Sequence, residues 1–412
     1  MMRALSYRNY RLFFSGQIIS LVGTWMTMTA SSWLVYRLTG SALVLGIVGF
    51  ASQFPAFILT PFAGVFVDRH NRHHLLITTQ ALSMLQSFAL AFLTLTGRIT
   101  VVWIVVLNLI EGLINAFDIP CRQTFVISLI EKKEDLGNAI ALNSSMFNLA
   151  RLLGPAVAGV IIASSNEGWC FFIDGVSFLC VITSLLLMVL PKSLVRKAEP
   201  EKVWTQLKDG WQYTIRSVPI RSSMILLALV SLVGVPYSVL VPVFAGKILH
   251  GGAHTLGFLM TASGCGALFG ALWLATRKSV IGLGRIISTA ALVFGAGLIA
   301  FSFSETLWLS LIIITIAGGA FMIQMASSNT ILQTIVDDHM RGRVMSFFLM
   351  SFLGTVPFGS LLAGTMANRI GAPHTLLMGG ILCICGALWF SRQLPLIREA
   401  LRPIYTKMGI LR

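Results

Sequence analysis

The stretch GVFVDRHNRHHLL, Gly64 to Leu76, gathers one aspartate, two arginines and three histidines between Asp68 and His74, although residues 38–67 before it and 73–97 after it hold no Asp, Glu, Lys or Arg. Each flanking run is long enough to cross a hydrocarbon core about 30 Å thick at about 1.5 Å per residue. The knot therefore reads as a turn at a membrane surface between two spanning helices.

Composition bears this out. With 56% hydrophobic and 11% charged residues, the 412-residue chain cannot cover a water-soluble globule, whose surface is about 25–35% charged. Further uncharged runs lie at 12–36 in the first half and at 222–246, 248–276, 286–304, 306–336, 344–368 and 370–391 in the second. Three apolar stretches near 100–129, 137–163 and 168–190 are interrupted by charge. Only helices or closed barrels satisfy the backbone in lipid, and these segments are too long and too uniformly apolar for barrel strands. The expected fold is all-α, with twelve transmembrane helices.

Lys and Arg set the orientation. With a cytoplasmic N-terminus, the loops and tails on that side carry 24 of the 30, which by the positive-inside rule places both termini in the cytoplasm. Anionic lipid is a sufficient partner for the net charge of +15, and no nucleic acid is called for. The apolar run after Arg3, Arg8 and Arg11 is too long for a cleaved signal and reads as the first helix. All six cysteines fall within predicted spans without metal-ligand spacing, so no disulfide is expected.

The chain repeats itself. SLVG at 20–23 recurs at 231–234, Gly40 maps to Gly251, LG at 45–46 maps to LG at 256–257, and GPAVAG at 154–159 resembles GSLLAG at 359–364. The expected domains are a six-helix bundle over 1–190, a cytoplasmic linker over 191–220, a second six-helix bundle over 221–392 and a basic tail over 393–412. In the linker, Trp204, Leu207, Trp211 and Ile215 fall at helical spacing, which suits an amphipathic surface helix; a plain tether is the alternative.

Two parallel six-helix repeats joined by a basic linker resemble the major facilitator superfamily. The knot resembles that family's loop signature, Gly-x-x-x-Asp-Arg-x-Gly-Arg-basic, through Gly64, Asp68, Arg69 and Arg72. Asn71 stands at the second glycine and tolerates a left-handed turn, while His73 and His74 replace stronger bases. NAFDIPCRQTFV at 115–126, NAIALNSSMFNLARLLGPAVAG at 138–159 and MRGRVMSFFLMSFLGTVPFGSLLAG at 340–364 are similar to the drug-and-siderophore exporter branch, which includes the enterobactin exporter and the macrolide efflux proteins. The resemblance implies that the loop gates the cytoplasmic side, with Asp68 facing a helix N-terminus near Arg341 to Val344. A solvated loop that only sets topology is the other reading.

Glu111, Asp118, Arg122, Arg151 and Asp174 lie inside predicted spans of the first half. A charge at the bilayer centre costs about 2.5–3.5 kcal/mol on insertion scales, so such residues face a cavity or a partner. Counting about 1.5 Å per residue puts Glu111 and Arg151 at similar depth. The expectation is that they pair and that Glu111 carries the coupling proton, Arg151 moving to and from it; a static ion pair joining two helices is the alternative. Asp118 and Arg122, spaced i, i+4 around Pro120, are expected to form a charge relay with Arg72 and Asp68, and Asp174 is expected to be solvated. Gly154, Pro155 and Gly159 resemble an antiporter motif shaping helix contacts, which packing alone also explains. Candidate cavity residues are Gln17, Thr24, Gln53, Asn143, Asn148, Gln324 and Asn329, with Ser20 as a further buried polar group and Met26, Met28, Met322 and Met325 as adaptable walls.

The sequence holds no phosphate loop of an ATP-driven pump, no His-Glu-x-x-His and no Gly-x-Ser-x-Gly. The expectation is a monomeric, non-enzymatic, multi-pass protein of a bacterial inner membrane. It exports an amphipathic drug or siderophore in exchange for protons, with the proton gradient as energy source and neither cofactor nor metal. A lipid or lysolipid translocator of the same fold is the competing hypothesis.

Overall fold

The computed structural model describes residues 3–130, 132–189, 203–277 and 279–407, which are helical with short connections. After a 3-10 turn at Arg3–Ser6 come α1 (Arg8–Thr39), α2 (Ala42–Arg69), α3 (Arg72–Leu95), α4 (Val101–Ser128), α5 (Lys133–Ser164) and α6 (Glu167–Leu186). They are followed by α7 (Val203–Arg216), α8 (Val218–Val233), α9 (Tyr237–Val243), α10 (Ala253–Ala275), α11 (Leu283–Ser302), α12 (Leu307–Ile335), α13 (Asp338–Leu353), α14 (Val356–Ile370) and α15 (Ala372–Lys407). Among the described residues, twelve segments are long and apolar enough to cross a membrane, as the charge-free runs predict.

Local chemistry sets the ends. Gly40 closes α1 in the left-handed region (φ 59°) with its N–H on the Tyr36 carbonyl, a conformation that costs glycine nothing. Ser41, Thr100 and Asn166 cap α2, α4 and α6 by accepting from the amides of Val44, Trp103 and Gly168. Two spans are broken helices. Val218–Ile248 is interrupted between α8 and α9, where Pro236 has no amide hydrogen to donate, and Met340–Ile370 is interrupted between α13 and α14, just before Pro357. The last helix does not stop at 392 but runs to Lys407 through Pro395 and Pro403.

Contacts divide the chain into two compact units, Met1–Glu199 with Val241–Thr261, and Pro200–Leu240 with Ala262–Arg412. In the first, α6 packs on α1 and α3, and α4 on α2 and α3; in the second, α15 packs on α8 and α11, and α11 on α12. The pairings of the first, third, fourth and sixth spans thus recur in the seventh, ninth, tenth and twelfth, which gives the sequence repeat a structural counterpart.

Val241–Thr261 joins the first unit through small residues. A Cβ on Gly159 would lie 3.2 Å from the Gly257 Cα, and one on Gly257 would lie 2.8 Å from the Pro155 carbonyl oxygen. Glycine lets the two backbones meet there. In the second unit, α7 lies on α13. Asp209 pairs with Arg343 at 3.3 Å, the Tyr213 hydroxyl donates to Asp337 Oδ2 at 3.1 Å, and Trp211 meets Phe347 with ring centroids 5.7 Å apart. The amphipathic linker helix exists, with Trp211 and Ile215 exposed; the side chains of Trp204 and Leu207 fall outside the described residues.

Candidate functional site

The third span carries a polar face. Thr79, Gln80, Ser83, Gln86 and Ser87 recur every three or four residues on α3, and all five are buried. Spacing of this kind lines one face of a helix. The acids of the neighbouring helices meet it in order along its length.

Asp118 of α4, 3% exposed, accepts at Oδ1 from Thr79 Oγ1 at 2.9 Å and from Gln80 Nε2 at 2.8 Å, and pairs at Oδ2 with Arg122 at 3.3 Å. The predicted i, i+4 pair therefore forms. One turn along α3, Glu111 Oε1 accepts from Ser83 Oγ at 3.3 Å and from Asn115 Nδ2 at 3.0 Å, while Oε2 is enclosed with no hydrogen-bond partner among the described residues. Further along, Gln86 donates to the Leu107 carbonyl at 3.2 Å, and Ser87 Oγ donates to Asp174 Oδ2 of α6 at 2.9 Å.

Two expectations are corrected. Glu111 is held by Ser83 and Asn115, and Arg151 lies elsewhere, its guanidinium 5.8 Å from the ring centre of Trp25 on α1. Equal depth on α4 and α5 did not bring the two together, because those helices turn their charged faces to different neighbours, α3 and α1. Asp174 is not solvated but 2% exposed: α6 packs on α1 and α3 there, and a Cβ on Gly23 would come within 2.5 Å of Asp174 Oδ1.

The loop motif is also rebuilt. Asn71 has φ −69° and ψ 108°, not a left-handed turn, and its side chain caps α3 by accepting from the amides of His73 and His74. His73 Nε2 lies 2.8 Å from the Leu185 carbonyl, tying the start of α3 to α6. Arg72 opens α3, and its carbonyl accepts from Cys121 Sγ at 3.3 Å. Arg69 is exposed in the last turn of α2. Gly64 and Asp68 lie within α2, but their side-chain positions fall outside the described residues.

Gly154 and Pro155 sit in α5, and a Cβ on Gly154 would lie 2.4 Å from the Trp25 Cβ. Thr24 is exposed, and Gln53, Asn143, Asn148 and Asn329 are partly so. Gln17 and Ser20 are buried, as is Gln324, whose amide nitrogen and oxygen both lack partners among the described residues. Met26 is buried, whereas Met28 is exposed and Met322 and Met325 are partly so. Sequence reasoning missed the α3 face altogether, although TTQALSMLQS at 78–87 shows its period. It also missed the Arg37–Glu167 pair, Nε to Oε1 at 2.8 Å and Nη2 to Oε2 at 2.9 Å, in which Glu167 is buried.

Comparison with known proteins agrees with this architecture. The sequence profile of the transmembrane secretion effector family (MFS_3) matches residues 2–405. The chain is 27% identical to the staphyloferrin A transporter of Staphylococcus aureus, over 94% of this chain and 98% of that protein. It is 27% identical to the multidrug efflux pump Tap of Mycolicibacterium fortuitum, over 86% and 88%. It is 22% identical to macrolide efflux protein A of Streptococcus pyogenes, over 93% and 96%. A crystal structure of a bacterial homolog of the human lysosomal transporter Spinster, inward-facing and unoccupied, superposes with a TM-score of 0.73 at 15% identity, covering 97% of this chain and 98% of that one.

Proposed function

The chain belongs to the transmembrane secretion effector family of major facilitator transporters, in the branch of drug and siderophore exporters, and from that premise we propose that it exports an amphipathic drug or siderophore in exchange for protons. The setting is a bacterial inner membrane with both termini in the cytoplasm, and transport proceeds by alternating access. A membrane transporter of this family is not an enzyme, and the reading calls on no cofactor.

The observation that carries the reading is Glu111, a carboxyl inside an apolar span with one oxygen enclosed and, among the described residues, no cation paired to it. Such a group exchanges a proton with bulk water only when its helices part far enough to open a path to it, so its charge is tied to the conformational cycle. Arg151, seated over Trp25 in this state, is the cation whose approach in another state would expel the proton. Gly64, Asp68, Arg69 and Arg72, with Asp118 and Arg122, form the gate and charge relay. Gly154, Pro155 and Gly159 give the fifth span a surface on which backbones can slide.

Substrate contacts fall to the accessible polar groups Thr24, Gln53, Asn143, Asn148 and Asn329, with Met28, Met322 and Met325 as deformable walls. The test is proton release when a panel of hydrophobic drugs and siderophores is added to detergent-purified protein near neutral pH, comparing wild type with Glu111→Gln. Release from the wild type alone supports proton antiport. Ligand binding with no release from either protein overturns it in favour of a lipid translocator or facilitator.

A further inference from the structure

The carboxyls of Asp118, Glu111 and Asp174 meet one face of one helix, and that face holds two enclosed oxygens without a donor, Gln80 Oε1 and Glu111 Oε2. Gln80 is 4% exposed and already donates to Asp118. Two neighbouring turns thus present acceptors for which the described residues offer no hydrogen. A proton on Glu111 turns one of those acceptors into a donor.

We infer that the polar face of α3 is a proton path through the first unit, and that Asp174 is a second proton-carrying group exchanging protons with Glu111 through Ser87, Ser83 and an intervening water. This rests on the proton-coupled reading above. Ser87 is the mobile joint, because its one hydroxyl hydrogen has two acceptors, Asp174 Oδ2 at 2.9 Å and Gln86 Oε1 at 3.4 Å. When Asp174 is protonated it donates to Ser87 Oγ, and the Ser87 hydrogen is released from Asp174 to rest on Gln86 Oε1 or to swing from there to the water.

Ser83 and Ser87 are one turn apart, about 6 Å along the axis at about 1.5 Å per residue, a gap that one water with polar partners on both sides can fill. In the transfer, the O–H bond at Asp174 breaks as the Ser87 hydroxyl passes its hydrogen to the water. The water passes one to Ser83, and Ser83 passes its own to Glu111. One O–H bond is lost at Asp174 and one is formed at Glu111, and the negative charge moves the other way. The charged groups facing the path are Asp118 with Arg122, and Arg72 at the start of α3, toward one end, and the Arg37–Glu167 pair of α1 and α6 toward the other. Among the described residues no three acids, histidines or cysteines are placed to hold a metal ion.

The experiment uses Asp174→Asn, Ser87→Ala and Ser87→Thr in reconstituted vesicles, with ethidium as the transported probe. Accumulation driven by a pH gradient is expected to fall on the order of 10²-fold in Asp174→Asn and Ser87→Ala, far more than exchange of ethidium down its own gradient, with Ser87→Thr restoring the drive. The infrared C=O band of a protonated carboxyl that changes with pH is expected to lose one component in Asp174→Asn. Gradient-driven transport that survives Asp174→Asn overturns the path. So does an equal loss of driven transport, exchange and thermal stability, which marks a structural acid. If the wild type makes no use of the gradient, the proton-coupled reading fails by itself. The infrared comparison then decides the path: a lost band supports it and unchanged spectra overturn it.

Discussion

Arg343, near the start of α13, is engaged by Asp209 of α7, Nη1 to Oδ2 at 3.3 Å, and Gly210 lets the two helices close over this pair. A Cβ on Gly210 would stand 3.0 Å from both Arg343 Cβ and Phe347 Cε2. The segment between the two halves of the sequence is thus docked on the helix that bears the MRGRVMSFF motif. Asp209 is half exposed, so the ion pair contributes about 0.2–1 kcal/mol and the close fit matters more. Gly210→Leu is expected to undock α7, read as a change in Trp211 fluorescence, while Asp209→Asn leaves that fluorescence nearly unchanged.

Tyr213 gives the same contact a pH limit. Burial raises its pKa above the usual value of 10.0, and its hydroxyl donates to Asp337. A raised folded-state pKa adds stability below the unfolded value, and that stability is lost as pH climbs through the folded one. Docking of α7 is therefore expected to hold at neutral pH and to loosen only above about pH 10. Tyrosinate absorbance of wild type against Tyr213→Phe checks this.

Asp118 satisfies three donors at once, from Thr79, Gln80 and Arg122. Asp118→Ala strands them and is expected to cost about 2–3 kcal/mol, the partial exposure of Arg122 softening the loss. Asp118→Asn keeps an acceptor and is expected to lose less. Unfolding in detergent measures both.

Gly159 and Gly257 touch backbone to backbone. Gly159→Ala asks for a shift of a few tenths of an ångström and is expected to retain most transport. Gly159→Leu cannot be accommodated and is expected to abolish ethidium efflux from cells while the protein still reaches the membrane. A leucine variant with normal efflux would show that this contact opens freely.

Glu111→Gln keeps the size and one acceptor for Ser83 and Asn115 but removes the exchangeable proton. Wild-type efflux is expected to depend on pH, and the variant profile to depend on it much less. Parallel profiles would count against Glu111 as the coupling group.

The fold was legible because lipid imposes one demand along the whole chain. Spans such as Leu307–Ile335 could be counted from uncharged runs, and the repeat followed from SLVG and GPAVAG. Broken spans were not legible, since hydropathy at Gly234–Pro236 stays apolar through the break. The acids of the site were visible as charges where charge is costly, but their partners were not. Depth along a helix follows from residue number, whereas azimuth depends on packing, which is why Glu111 met Ser83 and not Arg151 and why Asp174 turned inward. Asn71 was read for its backbone tolerance, although its side chain was the capping group.

Among the described residues the buried acids Asp118, Asp174 and Glu167, and Glu111 with its enclosed Oε2, all belong to the first unit. This confinement bears on how the protein can evolve. Changes in Ala262–Arg412, which holds Asn329, Met322 and Met325, can be made without disturbing these acids, so that part of the chain is the freer one to vary. Variants selected for altered transport should accumulate on that freer side.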